Sequence, residues 1–179
     1  NHPIIGWRNV VTAATIVATN EETSFPASNL ANPSTHLEWR SDDDGTQYLT
    51  ITTNETDPID YLAVAGHNFS SEEIPTSVEG FISAVWTEIV EEVQLPDDGP
   101  VIYRFTGQSL SQVRLKMAAP TGALPRAAVV YVGKLLVVER QLYVDHVPLP
   151  DGIKTSKVDN RSESGKFLGL IELGEWRES

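Results

Sequence analysis

The chain contains no cysteine, and Met117 is its single methionine. Without thiols there is neither a disulfide framework nor a thiolate metal site, so cysteine-bound zinc is excluded, and nothing in the sequence reports the redox compartment. No apolar run approaches the ~20 residues of a membrane-spanning helix, and Asn1-His2-Pro3 lacks the basic and apolar regions of a secretory signal. The chain opens without methionine, which fits a trimmed or processed piece. Positive charge is also scarce: 13 Lys and Arg stand against 25 Asp and Glu, for a net charge of -12. Such a balance repels phosphate backbones and anionic lipid heads unless a local basic patch overrides it. The nearest thing to a patch, Lys154, Lys157, Arg161 and Lys166, is interleaved with Asp151, Asp159 and Glu163. Neither nucleic acid nor membrane insertion is therefore expected.

What is present is the grammar of β-structure. The 179 residues leave room for one β-sandwich plus a short extra element, and 40% hydrophobic with 21% charged residues is ordinary globular usage. Gly, Pro, Asn and Asp punctuate short apolar segments rich in Val, Ile, Thr and Tyr. The segments predict strands near Val10 to Ala18, Tyr48 to Thr53, Tyr61 to Ala65, Glu79 to Val85, Trp86 to Gln94, Val101 to Phe105, Val113 to Met117, Ala128 to Val138 and Lys166 to Leu173. Two of them alternate with period two: Leu49 and Ile51 face one way among threonines, and Val113, Leu115 and Met117 face away from Arg114 and Lys116. In Ala84 to Val93 a helix competes, because Val85, Ile89 and Glu92 also share a helical face; the β-branched content and the following Pro96-Asp97-Asp98-Gly99 turn favour strand. No run of amphipathic helices alternates with these segments, so the expected fold is all-β, an antiparallel sandwich or jelly roll. Residues 1–138 would form it. After Val138, Leu142 to Gly152 is Pro-rich and Lys154 to Gly165 is polar, and 139–179 reads as a connector arm leading to a final strand.

The order of several short motifs carries a resemblance. Pro26-Ala27-Ser28-Asn29-Leu30, Asn32-Pro33-Ser34-Thr35, Trp39-Arg40-Ser41, Gln47-Tyr48-Leu49 and Ile59-Asp60-Tyr61-Leu62-Ala63-Val64 together resemble the front half of discoidin-type, galactose-binding-like domains. Trp86 and Val113-Arg114-Leu115 are similar to that family's mid-domain tryptophan and its Val-Arg-Leu strand. Leu37 and Glu38 depart from the pattern by lengthening the gap between Thr35 and Trp39. A second likeness joins Asn1-His2-Pro3, Phe25 to Pro33, Asp60 to Asn68 and Arg161-Ser162-Glu163-Ser164-Gly165-Lys166-Phe167-Leu168-Gly169. That combination is similar to bacteriophage and prophage tail proteins, and it implies a place in a virion tail, with other copies of the chain and other tail proteins as partners.

The resemblance implies that loops at one end of the sandwich form a ligand rim. Arg40 and the run Asp42-Asp43-Asp44-Gly45 would line it, and so would His67 and Asn68 after the Tyr61 to Ala65 strand. The aspartates offer hard oxygen ligands of the kind calcium takes, but no glutamate follows at the twelfth position and adjacent side chains diverge, so a solvated turn is the competing reading and no metal site is assigned. For His67 and Asn68, hydrogen bonding to sugar hydroxyls competes with capping of a structural loop. Trp7, Trp39, Trp86 and Trp176 offer stacking faces or core packing, with core favoured for Trp39. The segment Val158 to Gly169, with Arg161, Glu163, Phe167 and Leu168, pairs a charged stretch with an apolar anchor and is the candidate for assembly contacts, against a plain surface loop.

Catalytic residues are not assigned. No Gly-x-Ser-x-Gly elbow, His-Glu-x-x-His pair or phosphate-cradling glycine loop occurs, the four histidines His2, His36, His67 and His146 are dispersed, and adjacent acids such as Glu91-Glu92 or Asp97-Asp98 are ordinarily solvated. No cofactor is expected. The leading expectation is a non-catalytic structural component of a phage tail, homo-oligomeric; the alternatives are a host-surface glycan- or receptor-binding module of the virion, and an accessory domain of a glycan-active enzyme.

Overall fold

The structure, a computed structural model, describes residues 3–53, 56–139 and 153–177. Among the described residues are fourteen strands: β1 (Ile4–Gly6), β2 (Ile16–Ala18), β3 (Trp39–Arg40), β4 (Gln47–Thr52), β5 (Ile59–Ala65), β6 (Thr76–Ile82), β7 (Val85–Val93), β8 (Val101–Gln108), β9 (Gln112–Met117), β10 (Arg126–Ala127), β11 (Val129–Gly133), β12 (Leu135–Val137), β13 (Ile153–Arg161) and β14 (Phe167–Arg177). The one helical element among the described residues is a 3-10 turn at Ala27–Ala31. Two sheets dominate: a five-stranded one in the order β2-β4-β9-β6-β7 and a three-stranded one in the order β11-β5-β8, and every pairing is antiparallel.

The alternation read in the sequence explains why these strands stack. In the β4–β9 pairing Leu49 lies opposite Leu115 and Ile51 opposite Val113, and all four side chains are fully buried. Leu62, Val64 and Tyr103 of the three-stranded sheet join the same cluster, as do Trp39 from β3, Leu30 from the 3-10 turn, and Phe69 and Ile74 from the loop between β5 and β6. Each such aliphatic side chain contributes ~1.5–3 kcal/mol by leaving water. On the other side of the five-stranded sheet, Arg114 lies between the rings of Tyr48 and Trp86, 4.0 and 4.1 Å from their centres, and pairs with Glu79 at 2.6 Å.

Four stretches differ from the sequence reading. Only Ile16–Ala18 of the Val10 to Ala18 segment is strand; ahead of it Thr15 N–H donates to Thr12 C=O, and Asn9 Oδ1 accepts the Val11 N–H, so local side-chain bonds replace a ladder. The boundary between β6 and β7 is a two-residue turn in which Ser83 and Ala84 both adopt positive φ (50° and 65°), the twist a tight hairpin wants, supplied without glycine. Ala128 to Val138 splits into β11, which pairs with β5, and β12, which pairs with β1. The break follows Gly133, where a Cβ would sit 2.0 Å from the Arg8 carbonyl oxygen, so only glycine lets the N-terminal segment pass.

The fourth difference is the polar arm. Residues 153–161 form a strand, β13, that pairs with β14 through a turn in which Gly165 N–H donates to Ser162 C=O. A hairpin ladder is a backbone property and does not need alternating apolar residues on its strands. The whole Pro-rich stretch Leu142 to Gly152 lies outside the described residues, as do His2 and His146.

Candidate functional site

The pairing registers define two ends of the sandwich. β1 and β12, the β6–β7 turn and the β8–β9 link gather at one end. At the other end lie four long loops, connecting β2 to β4, β5 to β6, β7 to β8 and β9 to β11. Arg40, Asp42, Asp43, Asp44, His67 and Asn68 all fall on these loops or on the short β3 among them. Antiparallel topology therefore brings to one end side chains that are up to 28 positions apart in sequence.

The loops enclose an open cleft of about 380 Å³ lined by Glu22, Arg40, Ser41, Asn68, Glu72, Leu124 and Arg126. β3 and β10 form its wall, since Arg126 pairs with Arg40 in register and each projects a guanidinium from the same two-stranded ladder. Asn68 is 5% exposed and clips the opposite loop in place: its amide donates to Leu124 C=O at 3.0 Å, and its oxygen accepts the Arg126 N–H at 2.9 Å. Arg40 is held from two sides. Its guanidinium lies 3.9 Å over the Phe25 ring, and its Nε and Nη2 both donate to Glu38 Oε1, the Nε at 3.0 Å, which leaves both Nη1 hydrogens and the second Nη2 hydrogen without a hydrogen-bond partner among the described residues.

Glu38 is the residue that sequence reasoning passed over. Its side chain is 6% exposed, and a carboxylate so placed needs cations around it. Burial pushes its pKa up, but the Arg40 hydrogen bond and the charges of Lys166, Arg40 and Arg126 more than offset this and hold it below the usual carboxylate value. The one sequence signal was the two-residue departure, Leu37-Glu38, from the discoidin-like corner. Glu22, Glu72 and Arg126 carried no motif at all, and only the convergence of loops reveals them.

The aspartate run divides. Asp43 Oδ2 accepts from the Asn20 amide at 3.2 Å and its backbone bonds with the Ser41 hydroxyl, while Asp44 Oδ2 accepts the Gly122 N–H at 2.7 Å and so ties two rim loops together; Asp42 is exposed. None of the three lines the cleft. Among the described residues no group of three or more His, Asp or Glu is placed to hold a metal ion.

His67 is buried behind the rim, stacked on Phe69 with ring centres 4.5 Å apart. Its Nε2 lies 2.8 Å from Gly99 C=O and can only donate there; Nδ1 accepts the Phe69 N–H, which fixes the neutral tautomer. Desolvation lowers its pKa, against the Gly99 bond and the charges of Asp98 and Asp97, which raise it. Gly66 just before it has φ +68°, and a Cβ there would meet Ala128 Cβ at 2.7 Å. Asp98 in turn caps Ser70 and Ser71 N–H at 2.8 and 3.1 Å, so the acid pair 97–98 braces this loop.

The assembly candidates sit on the β13–β14 hairpin. Phe167 and Leu168 are half-buried where the hairpin meets residues 34–35, Arg161 donates to Gly165 C=O and to Asp159, and Glu163 is exposed in the turn. Leu170, Ile171 and Leu173 are 53%, 50% and 64% exposed.

No protein-family model matches the sequence, and no curated protein sequence matches it. Solved structures do match. Chitosan-binding module 1 of a chitosanase/glucanase from Paenibacillus sp. IK-5 superposes with a TM-score of 0.60 at 15% identity, over 70% of this chain and 98% of the module. The family 32 CBM of Clostridium perfringens NanJ, in complex with galactose, gives a TM-score of 0.58 at 16% identity over 69% and 97%. CpGH89CBM32-5 from Clostridium perfringens, in complex with GalNAc-β-1,3-galactose, gives 0.57 at 13% identity over 66% and 93%. These likenesses establish the architecture: the chain carries a discoidin-like, galactose-binding-like β-sandwich.

Proposed function

We propose that the chain is a non-catalytic glycan-binding module whose site is the cleft between Arg40 and Arg126. The observation that carries this reading is the composition of that cleft on this fold. A sugar presents hydroxyls that both donate and accept, and the cleft supplies both partners: guanidinium and amide donors from Arg40, Arg126 and Asn68, and carboxylate acceptors from Glu22 and Glu72. Leu124, 49% exposed at the rim, offers an apolar face for the C–H side of a pyranose. The neighbours named above are described as binding galactose, GalNAc-β-1,3-galactose and chitosan, which supports the same class of ligand. Two arginines against two glutamates leave little net charge in the cleft, and the net charge of -12 on the molecule disfavours polyanionic glycans. Neutral sugars are therefore the expected ligands. A glycan array probed with the full chain tests this: signal on neutral galactosides that drops at least about tenfold on Arg126→Ala, roughly the loss of one good charge-assisted hydrogen bond, supports it. An array blank for every glycan class overturns it.

The setting is a separate proposal. The sequence likeness to phage tail proteins favours a virion tail, where the module would contact a host-surface glycan. A structural role in the tail, as a homo-oligomer, is the second reading, and what favours it is the hairpin's exposed Leu170, Ile171 and Leu173. Light scattering that finds only monomer at high concentration counts against the oligomer and leaves the glycan reading untouched.

A further inference from the structure

The C-terminal hairpin reaches the cleft through a single buried carboxylate. Glu38 uses one oxygen for Arg40, as described, and its other oxygen, Oε2, lies 3.7 Å from Lys166 Nζ. Lys166 immediately precedes β14, and β14 grips the loop that carries Glu38. Phe167 N–H donates to Thr35 Oγ1 at 3.0 Å, Thr35 N–H donates to Phe167 C=O at 3.2 Å, and the Ser34 hydroxyl donates to the same carbonyl at 3.0 Å. From the other side Asn29 donates to Glu38 C=O at 2.9 Å.

We infer that docking of the β13–β14 hairpin and the posture of Arg40 in the cleft are coupled through Glu38, which makes Glu38 and Lys166 positioning residues for whatever the cleft binds. A buried carboxylate must be neutralised, and here Arg40 and Lys166 pair with it directly while the Arg126 charge assists. While the hairpin is docked, Lys166 takes part of the charge and Arg40 keeps Nη1 for a ligand. When Lys166 is withdrawn, Arg40 is the one ion-pair partner left to Glu38 among the described residues, with the Arg126 charge acting from farther off, so the guanidinium is drawn more firmly onto it and away from the cleft. Linkage then requires the converse: a ligand that engages Arg40 strengthens the hold of Glu38 on Lys166 and favours the docked hairpin. The consequence for sugar binding rests on the glycan reading above; the coupling itself does not.

The test uses the full chain with Lys166→Met, which keeps the alkyl stem and removes the charge, and Lys166→Arg, which restores it. The first readout needs no ligand: the Arg40 Nε–H resonance shifts in Lys166→Met and returns in Lys166→Arg, and the Phe167 amide exchanges faster in Lys166→Met. The second readout is affinity for galactose as the probe, expected to fall on the order of fivefold in Lys166→Met, at the weak end of typical couplings, with galactose slowing Phe167 exchange in the unaltered chain by the same factor. If the Arg40 resonance is unmoved by Lys166→Met, the coupling is wrong, whatever galactose does. If it moves and is rescued while no sugar binds the unaltered chain, the coupling stands and the glycan reading falls. Because no described side chain of the hairpin belongs to the sandwich core, a loss of folding in Lys166→Met would also overturn the inference, since it would make Lys166 a general stability residue.

Discussion

In the sandwich Leu49, Ile51, Val113 and Leu115 are fully buried, whereas in the C-terminal hairpin Leu170, Ile171 and Leu173 are half exposed or more. Both regions are antiparallel ladders with satisfied backbone bonds, so hydrogen bonding does not separate them. The difference lies in what covers the side chains. Two sheets facing each other remove apolar area from water, and a lone two-stranded ribbon is marginal unless something docks against it. The hairpin is held at its turn end by residues 34–38, through five hydrogen bonds to its backbone and one ion pair. The sandwich is thus a scaffold stable by burial, whereas Leu170, Ile171 and Leu173 of the hairpin add little burial to it.

The largest effect that sharpens this contrast is Leu115→Ala, which should lower unfolding free energy by ~2–5 kcal/mol in urea titrations, the usual cost of a large core truncation. Asn68→Ala comes next. It strands the Leu124 carbonyl and the Arg126 amide and should cost ~1–3 kcal/mol while weakening any glycan interaction, because Arg126 loses its clip. A variant that keeps full stability but loses binding would show that the loop end is more independent of the core than the clip geometry implies.

Acid should act on the loop end before it acts on the hairpin. The folded pKa of His67 lies below its ordinary value of 6.5, so between the two the unfolded chain binds the proton and the folded chain does not. Stability from this group is complete above pH 6.5 and declines as pH falls through that value toward the folded pKa. Melting temperatures measured from pH 7.5 to 5 should therefore drop, and His67→Gln should flatten that slope. Glu38 and Asp98, whose folded values are lowered, contribute stability above the ordinary carboxylate range that is lost only at still lower pH. The smallest effect belongs to Leu173→Ser, expected within ~0.5 kcal/mol because the side chain is already in water. A large loss there would mean that the ribbon is covered in solution, and the contrast with the sandwich would collapse.

The fold was legible in particular stretches. Tyr48 to Thr52 and Val113 to Met117 alternate so regularly that burial of one face follows from period alone, and β4 and β9 pair where that predicts. The strand reading also holds for β7, where β-branched residues outweighed a helical face. The polar strand β13 was not legible, because its partner, not its own residues, supplies its ladder. At the site, Arg40 and Asn68 were named and do line one cleft, while His67 and the aspartates lie behind it or on its rim. Glu22, Glu72 and Arg126 left no trace in sequence.

By itself, then, the order of residues determined which segments extend and which faces turn inward, since both depend on neighbours two positions away. The closing of the cleft, and the sharing of Glu38 between Arg40 and Lys166 across 128 positions of chain, were decided by tertiary structure. Charges meet there because loops and a distant hairpin converge, and no local pattern records where a loop will end in space.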